Sequence, residues 1–423
     1  METVTNKKGW ATVNPVTATL LFIAFGLSYY GYLYYFAFNE GVSAAPDALK
    51  AVKDAAYATF LLAMLVAVPW TTASWREWIF APFAGMLVML SLIHAQHTGA
   101  EPQLIENIKN LAVYLPVFWL MFRFTPEQSA ALSAAMQRLF VAMALIQVAF
   151  SYAFEESDGL LWRGHVYAGW IGNPNSFALF LNLATVALLA LIVYESRRRR
   201  VYISAILIGV LTHGVLHSTS ATQVLVHYLL ICYCAVIAAI RQQRHALVSL
   251  TLVAAVMAAV SLHMHDRLQG SWQPVPDALD ILTRPDSTTE RSFSASRRLE
   301  MVFTALGVPG KGFMQALIGD LDNAEYHRLD GQFWTLLANG GFLTMLAFAV
   351  PALYVYLVSL RYALRGGQAL LALHLMIVAF GVTLLASRVL QYFPFNFLFF
   401  AIAGLAVRPA VVRSLRAEGE VGR

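Results

Sequence analysis

The feature that most constrains this chain is a series of apolar runs, each close to the length that crosses a lipid bilayer. The run from Phe177 to Tyr194 holds about eighteen residues without a charge, and about 20 are needed to cross the hydrocarbon core. Over the 423 residues, 59% are hydrophobic and 13% are charged. This composition is too apolar for an ordinary soluble globule. We therefore predict an all-α polytopic membrane protein.

The apolar runs predict about twelve transmembrane helices. Their ranges are 13–38, 55–71, 77–95, 108–124, 138–154, 174–194, 201–217, 222–240, 246–264, 332–358, 368–387 and 390–408. The second and fourth runs are short and contain or adjoin Pro69 and Pro116, so eleven spans or a re-entrant segment are alternatives. The predicted units are helices 1 to 9 in residues 1–264, a large loop over 265–331, and helices 10 to 12 with a tail over 332–423.

The basic residues predict the orientation, because cytoplasmic loops retain lysine and arginine. With twelve helices, the basic loop and tail residues fall on one side: Lys7, Lys8, Arg76, Arg138, Arg197 to Arg200, Arg241, Arg244, Arg361, Arg365, Arg413 and Arg416. We take that side as the cytoplasm, with both termini there. The 265–331 loop is then extracytoplasmic, and it is predicted to be partly helical from about Thr288 to Leu306. The net charge of +5 is largely explained by this topology and does not indicate nucleic-acid binding.

No soluble-enzyme signature is present in the sequence. It has no Walker loop, dinucleotide fingerprint, CxxC or HExxH. The stretch "GVPGKGF" lacks the spacing and the Ser or Thr of a phosphate loop. Cys232 and Cys234 are one residue apart in an apolar run and predict neither a disulfide nor a metal site. Candidate site residues are therefore sought at the extracytoplasmic ends of the helices.

The first candidate group precedes the sixth helix. Asn173 can cap that helix, Pro174 suits its first position, and Asn175 follows. The helix N-terminus suits an anion, and Arg163 adds a guanidinium. The alternative is a capped helix with an arginine that reaches toward the interface.

Two further groups lie in the large loop. Arg291 and Arg298 are seven residues apart on one predicted helix face, with Arg297 beside them, and guanidinium groups suit a diphosphate. The alternative is a solvated helix paired with acidic neighbours. His327 and Asp330 stand where the chain re-enters the membrane, and either can take a proton from a hydroxyl. An ordinary surface pair is the alternative.

Lesser candidates are polar groups near other predicted membrane boundaries. Lys109 and Glu106 begin the fourth helix, and the outer turn after the seventh helix carries His213, His217, Ser218 and Ser220. Polar and ionisable groups at such places raise the expectation of function without naming a chemistry.

Together these motifs, in this order, resemble the superfamily of O-antigen ligases and O-antigen polymerases. The resemblance covers roughly residues 105–360: Lys109, then "WRGHVYAGWIGNPNSFA", "HSTSAT", "SRRLEMVFTALGVPGKGF" and "LDGQFWTLLANGGFLTMLAF". It implies a GT-C-like membrane glycosyltransferase in the bacterial inner membrane. Such an enzyme transfers a glycan from undecaprenyl diphosphate to an acceptor hydroxyl, at the periplasmic face and without metal or cofactor. Implied partners are the lipid-linked glycan, an acceptor glycolipid, the bilayer and, for a polymerase, a chain-length regulator.

The resemblance also implies roles for particular residues. Arg163 and Arg298 would bind the donor diphosphate, with Arg291 and Arg297 competing for the second place and Lys109 as a further basic group. Asp330 or His327 would be the base. Gly310 and Gly312 match a "GxG" pattern, and Gly341 belongs to the glycines of the tenth helix.

The sequence departs from the ligase pattern at the tenth helix. Ligases usually open it with a histidine and a small polar residue, whereas Asp330 and Gly331 stand here. "SAT" also replaces the expected "SR" before the eighth helix, and Gly341 lacks its usual partner three residues later. The first departure favours the polymerase branch, with O-antigen ligase as the alternative. A flippase of lipid-linked oligosaccharide is the competing class, but the sequence lacks the internal repeat that many transporters have.

Overall fold

A computed structural model describes residues 14–29, 47–68, 75–97, 111–153, 161–162, 166–167, 174–195, 197–272, 300, 302–320 and 331–408. The described residues are almost entirely helical, apart from turns and one antiparallel pair of two-residue strands, Leu161–Trp162 and Val166–Tyr167. The helices are α1 Pro15–Tyr29, α2 Asp47–Ala67, α3 Ala81–His97, α4 Leu115–Phe122, α5 Pro126–Ala153, α6 Pro174–Tyr194, α7 Arg198–His217, α8 Ala221–Ile240, α9 Arg244–His263, α10 His265–Trp272, α11 Phe313–Ile318, α12 Gln332–Arg365, α13 Gln368–Ala386 and α14 Phe395–Ala406.

Seven helices in the described part of the chain are long and apolar enough to cross a membrane. They are α5 to α9, α12 and α13, while α1 and α14 are shorter apolar helices. The protein is therefore a helical membrane protein, as the composition predicts. The count of twelve spans stays a prediction.

Helix α6 lies at the centre of the bundle. It packs against α5, α7, α8, α9 and α13, and nearly all of its residues are buried. The sequence explains this position, because α6 is apolar on every face and carries no charge. A helix that is apolar all round is buried by neighbouring helices or by lipid. Its bounds coincide with the predicted range 174–194.

Helix α5 begins much earlier than the predicted range 138–154. It starts at Pro126, after Thr125 and Gln128 cap it reciprocally: the Thr125 N–H donates to Gln128 Oε1 at 2.9 Å, and the Gln128 N–H donates to Thr125 Oγ1 at 3.2 Å. The prediction was wrong here because Glu127 and several small polar residues lower the hydropathy of the first turns. The capping box "TPEQ" is the signal that marks the true start.

Helices α4 and α14 are shorter than the predicted ranges 108–124 and 390–408. They contain 8 and 12 residues, or ~12 and ~18 Å, against a hydrocarbon core of ~30 Å. Pro116 lies in the first turn of α4 and not in its interior, which explains its late start. The two helices pack closely, since a Cβ atom on Gly404 would lie 2.5 Å from the Phe118 carbonyl oxygen. Neither helix alone has the length of a full span, so the fourth and twelfth spans stay predictions.

Helix α12 is a hairpin of two arms, and the single helix predicted over 332–358 is wrong in this respect. Gly341 has φ 65° and ψ −172°, which breaks the helix into residues 332–340 and 342–365. The rings of Phe333 and Phe348 lie 5.7 Å apart between centroids, whereas about fifteen residues of straight helix would separate them by ~22 Å. The first arm therefore folds back along the second, and only the second, about 36 Å long, has spanning length.

The end of α11 packs on the tip of this hairpin through backbone contacts. A Cβ atom on Gly341 would lie 2.3 Å from the carbonyl group of Leu317, and one on Gly319 would lie 2.5 Å from the Gly340 nitrogen. The Asp320 N–H also donates to the Ala338 carbonyl oxygen at 2.9 Å. The loop over 265–331 is thus partly helical in its described residues, with α10, residues 302–307 and α11. Most of the helix predicted from Thr288 to Leu306 lies outside them.

Candidate functional site

Two ends of the bundle are identified by their contacts. At one end, the Arg241 end, helices α6, α8 and α12 terminate and helices α9 and α13 begin. Arg241 Nη1 donates there to the carbonyl oxygens of Ala363 and Gly366, at 2.8 and 2.9 Å. The Arg241 guanidinium also lies over the Tyr194 ring. A cation at a helix C-terminus is favourable. The opposite end, the Ser220 end, holds the start of α6, the turn between α7 and α8, and the end of α13. It is the predicted extracytoplasmic end.

Two helix N-termini lie side by side at the Ser220 end. Pro174 is the first residue of α6, and Ser220 caps α8 by accepting from the Gln223 N–H at 3.4 Å. The Ser220 hydroxyl also donates to Asn175 Oδ1, which joins the two N-termini. The dipole of each helix places partial positive charge at its N-terminus. The arrangement suits an anionic group.

A buried polar network lies beneath these N-termini. Asn182 Nδ2 donates to both oxygens of Gln223, backbone and side chain, at 3.0 Å each, and Gln223 Nε2 donates to Thr383 Oγ1 at 3.0 Å. His227 Nδ1 lies 2.6 Å from Asn182 Oδ1, and its Nε2 lies 2.9 Å from Thr212 Oγ1. All five side chains are buried. The network joins α6, α7, α8 and α13.

The hydrogen bonds fix the imidazole tautomer of His227. The backbone oxygen of Gln223 can only accept, so the Asn182 amide nitrogen faces it and the amide oxygen faces His227. His227 Nδ1 therefore carries a proton and donates it to Asn182 Oδ1. Because each donor and acceptor has a fixed role, these hydrogen bonds hold α6 and α8 in one relative position.

Further polar groups lie on α5, α7 and α12. The Tyr152 hydroxyl hydrogen-bonds to His213 Nδ1, and the His213 and His217 rings stack with centroids 6.2 Å apart. Gln147 and Gln332 are fully buried, and their amide atoms have no hydrogen-bond partner among the described residues. The Ser220 end therefore holds several buried polar side chains, and such residues in membrane helices are usually functional.

The base of the α12 hairpin lies next to this polar region. Trp334 Nε1 donates to the Leu385 carbonyl oxygen at 3.0 Å, and a Cβ atom on Gly331 would lie 2.7 Å from the same oxygen. Thr383, two residues before Leu385, accepts from Gln223. The hairpin thus begins beside the polar network and within one helical turn of it along α13.

Most of the residues predicted for the site lie outside the described part of the chain. They are Lys109, Arg163, Asn173, Arg291, Arg297, Arg298, His327 and Asp330. Their predicted roles therefore stay predictions.

Five other residues of the predicted site are described, and Pro174 begins α6 as predicted. Asn175 joins α6 to α8, and Gly341 breaks α12. Gly310 lies in the 3-10 turn Val308–Lys311, where a Cβ atom would meet open space, and Gly312 links that turn to α11.

Sequence reasoning missed Asn182, Gln223, His227 and Thr383. The first three carried a readable signal, because each is a strongly polar residue inside an apolar run, and Gln223 and His227 are four apart on one helix face. Thr383 carried none, since threonine is common in apolar helices and often bonds its own backbone, as it does here with the Ala379 carbonyl oxygen.

No set of three His, Cys, Asp or Glu side chains in the described residues is placed to hold a metal ion. The chain matches no protein-family model and no curated protein sequence. The functional assignment therefore rests on the chemistry of the Ser220 end and on the resemblance of the motifs around it.

Proposed function

We propose that this protein is a membrane glycosyltransferase that transfers a glycan from an undecaprenyl-diphosphate donor to an acceptor hydroxyl. The proposed location is the periplasmic face of a bacterial inner membrane, with twelve spans, a GT-C-like fold and both termini in the cytoplasm. The favoured reaction is polymerisation of O-antigen or exopolysaccharide, because Asp330 stands where ligases usually have histidine. Ligation of the glycan to lipid A-core is the alternative.

One observation carries the proposal: the α6 and α8 N-termini lie side by side at the Ser220 end, above a buried polar network. Both helices are about 30 Å long, and each directs its N-terminus and the positive end of its dipole to the same face. A diphosphate is a dianionic ligand of the kind that helix N-termini bind. The motif that begins α6 follows Arg163 by about eleven residues, so a guanidinium can join the same site.

The proposed reaction needs one proton acceptor and one stabilised leaving group. The acceptor hydroxyl oxygen attacks the anomeric carbon, its O–H bond breaks, and its proton passes to Asp330 or His327. The bond between the anomeric carbon and the diphosphate oxygen breaks with both electrons on that oxygen. Undecaprenyl diphosphate leaves with an added negative charge, which Arg163 and Arg298 stabilise, with Arg291, Arg297 and Lys109 as further candidates.

The direct test is transfer by the purified protein in nanodiscs. The probe is the lipid-linked oligosaccharide extracted from the host strain, alone or with lipid A-core as acceptor. A ladder of lengths without added acceptor supports a polymerase, and glycosylated lipid A-core supports a ligase. Passage of the oligosaccharide across proteoliposomes without any new glycosidic bond would contradict the proposal and favour a flippase.

We expect Arg163→Lys and Arg298→Lys each to lose most transfer activity, because lysine lacks the paired donors of a guanidinium. Arg199→Lys is the matched control, since Arg199 is exposed at the start of α7 and lies at the Arg241 end. Wild-type polymer lengths and amounts in both Arg163→Lys and Arg298→Lys would overturn the diphosphate assignment.

Asp330→Asn separates two roles for Asp330. Asparagine caps a helix as well as aspartate does, but it cannot accept a proton as a base. A base at this position predicts a well-expressed variant whose transfer rate falls by about 10² to 10⁴. Full activity in Asp330→Asn would leave His327 as the base.

A further inference from the structure

Gln332 is a buried amide that the described protein leaves without a partner. It is the first residue of α12, its side chain is fully buried, and neither Oε1 nor Nε2 has a hydrogen-bond partner among the described residues. Gln223 shows the contrasting case. Its Oε1 accepts from Asn182 Nδ2, and its Nε2 donates to Thr383 Oγ1.

An unpaired buried amide lowers stability, because its donor and acceptor have lost water and gained nothing. Methionine or leucine would fill similar space at no such cost. Each unsatisfied buried group in a native protein has an explanation outside the packing, such as an ordered water, a ligand or a catalytic role. Gln332 is explained if a bound molecule supplies the missing partners.

The position of Gln332 indicates which kind of molecule binds its amide. Gln332 begins the first arm of the α12 hairpin. In the same arm, Trp334 Nε1 donates to the Leu385 carbonyl oxygen, which lies two residues after Thr383 of the polar network. Along the chain Gln332 stands two residues after Asp330, the proposed base. Gln147, on α5, has the same unpaired amide but no such link to the hairpin. Because two residues of chain span at most about 7 Å, a group bound at Gln332 would lie near the proposed base.

We propose that the Gln332 side-chain amide binds hydroxyl groups of the glycan at the base of the α12 hairpin. The amide offers two N–H donors and two acceptor lone pairs without charge, which complements neighbouring sugar hydroxyls and does not compete for the diphosphate. This inference rests on the proposed transferase function. The hydroxyl groups belong either to the acceptor glycan or to the sugar of the donor, and kinetics separate the two sources.

The test is Gln332→Met, measured for transfer and for thermal unfolding in nanodiscs. We expect kcat/KM for transfer to fall by about tenfold or more, as loss of a hydrogen-bonding contact to substrate implies. We expect the melting temperature to stay equal to that of the wild type or to rise, because no protein partner is lost. Gln223→Met is the matched control, and its melting temperature should fall because Asn182 and Thr383 lose their partner.

The substrate dependence identifies the bound sugar. A loss seen when the acceptor is varied at saturating donor assigns the amide to the acceptor glycan, and the converse assigns it to the donor glycan. Wild-type transfer kinetics in Gln332→Met, or a melting temperature that falls as far as in Gln223→Met, would overturn this inference alone. A wild-type protein that makes no glycosidic bond would overturn the proposed function and this inference with it.

Discussion

At the scale of single residues, the bundle combines an apolar interior with a buried polar network, formed by Asn182, Gln223, His227, Thr212 and Thr383, whose members are all hydrogen-bonded. Asn182 uses its amide nitrogen and its amide oxygen, and Gln223 uses both atoms of its amide. Buried polar groups are costly when they are unpaired, but a network whose members are all paired specifies which helix faces meet. The network thereby fixes how α6 and α8 place their N-termini at the Ser220 end.

Replacing Asn182 tests this role. Asn182→Leu leaves Gln223 and His227 without their partner, and we expect the free energy of unfolding to fall by about 1–3 kcal/mol. The measurement is thermal unfolding in detergent or nanodiscs. Ser249→Ala is the control, because the exposed Ser249 hydroxyl donates to the His245 carbonyl oxygen one turn earlier in its own helix. Equal melting temperatures for both variants would show that the network does not hold the helices together.

At the scale of elements, a single glycine decides the shape of α12. Gly341 adopts a positive φ that side chains other than glycine rarely adopt, and its α-carbon faces the Leu317 backbone with no room for a Cβ atom. The docking of α11 and the turn of the hairpin therefore depend on the same position. Gly319, just after α11, also lies so close to the Gly340 backbone nitrogen that a Cβ atom would not fit.

We expect Gly341→Ala to destabilise the docked loop by at least about 2 kcal/mol, from the positive φ and the backbone clash together. The measurement is limited proteolysis of residues 265–331 in membranes, which should become faster. Gly381→Ala is the matched control, since a Cβ atom on Gly381 of α13 would have nothing within 4 Å. Similar proteolysis rates in the two variants would contradict the close packing of α11 on the hairpin tip.

The start of α5 depends on its capping box. Thr125→Ala removes the hydroxyl that accepts from the Gln128 N–H, and we expect a loss of about 1 kcal/mol of stability. Thr125→Ser keeps the hydroxyl and should keep the wild-type melting temperature. The two variants are compared by thermal unfolding. A loss that is equal in both would assign the effect to the methyl group and not to the cap.

At the scale of the whole molecule, basic residues gather at the Arg241 end. In the turn between α6 and α7, the Arg197 N–H and the Arg200 guanidinium bind Glu195 and hold the pKa of its carboxyl below its ordinary value. The Ser220 end has serines and a threonine in the corresponding turn between α7 and α8. This asymmetry is what the positive-inside rule uses, and it predicts that the Arg241 end faces the cytoplasm.

Cysteine labelling of intact cells with a permeabilised outer membrane tests this orientation. In a background with Cys232→Ser and Cys234→Ala, we expect Thr219→Cys to react with a membrane-impermeant maleimide. Arg199→Cys should react only after the inner membrane is opened. The reverse pattern would place the Ser220 end in the cytoplasm and remove the basis for a periplasmic reaction.

The sequence by itself determined the class of the protein and most bounds of the long helices. The predicted ranges for α6, α7, α8, α9 and α13 agree with the structure within about three residues, because lipid forces a whole apolar run into one hydrogen-bonded helix. For the candidate site, the sequence predicted the motifs but not how their residues are arranged in space. Its arginines, His327 and Asp330 lie outside the described residues, so their placement stays a prediction.

Only the tertiary structure decided which residues meet. Hydropathy gives α12 as one continuous run, yet the fold-back at Gly341 depends on Leu317 and Gly319, which belong to a different segment. The pairing of Asn182 with Gln223 and His227 depends likewise on how α6 and α8 cross. A bilayer stabilises any apolar helix to a similar degree, so composition determines which segments of the chain form helices. Close backbone contacts and buried hydrogen bonds then select how those helices pack.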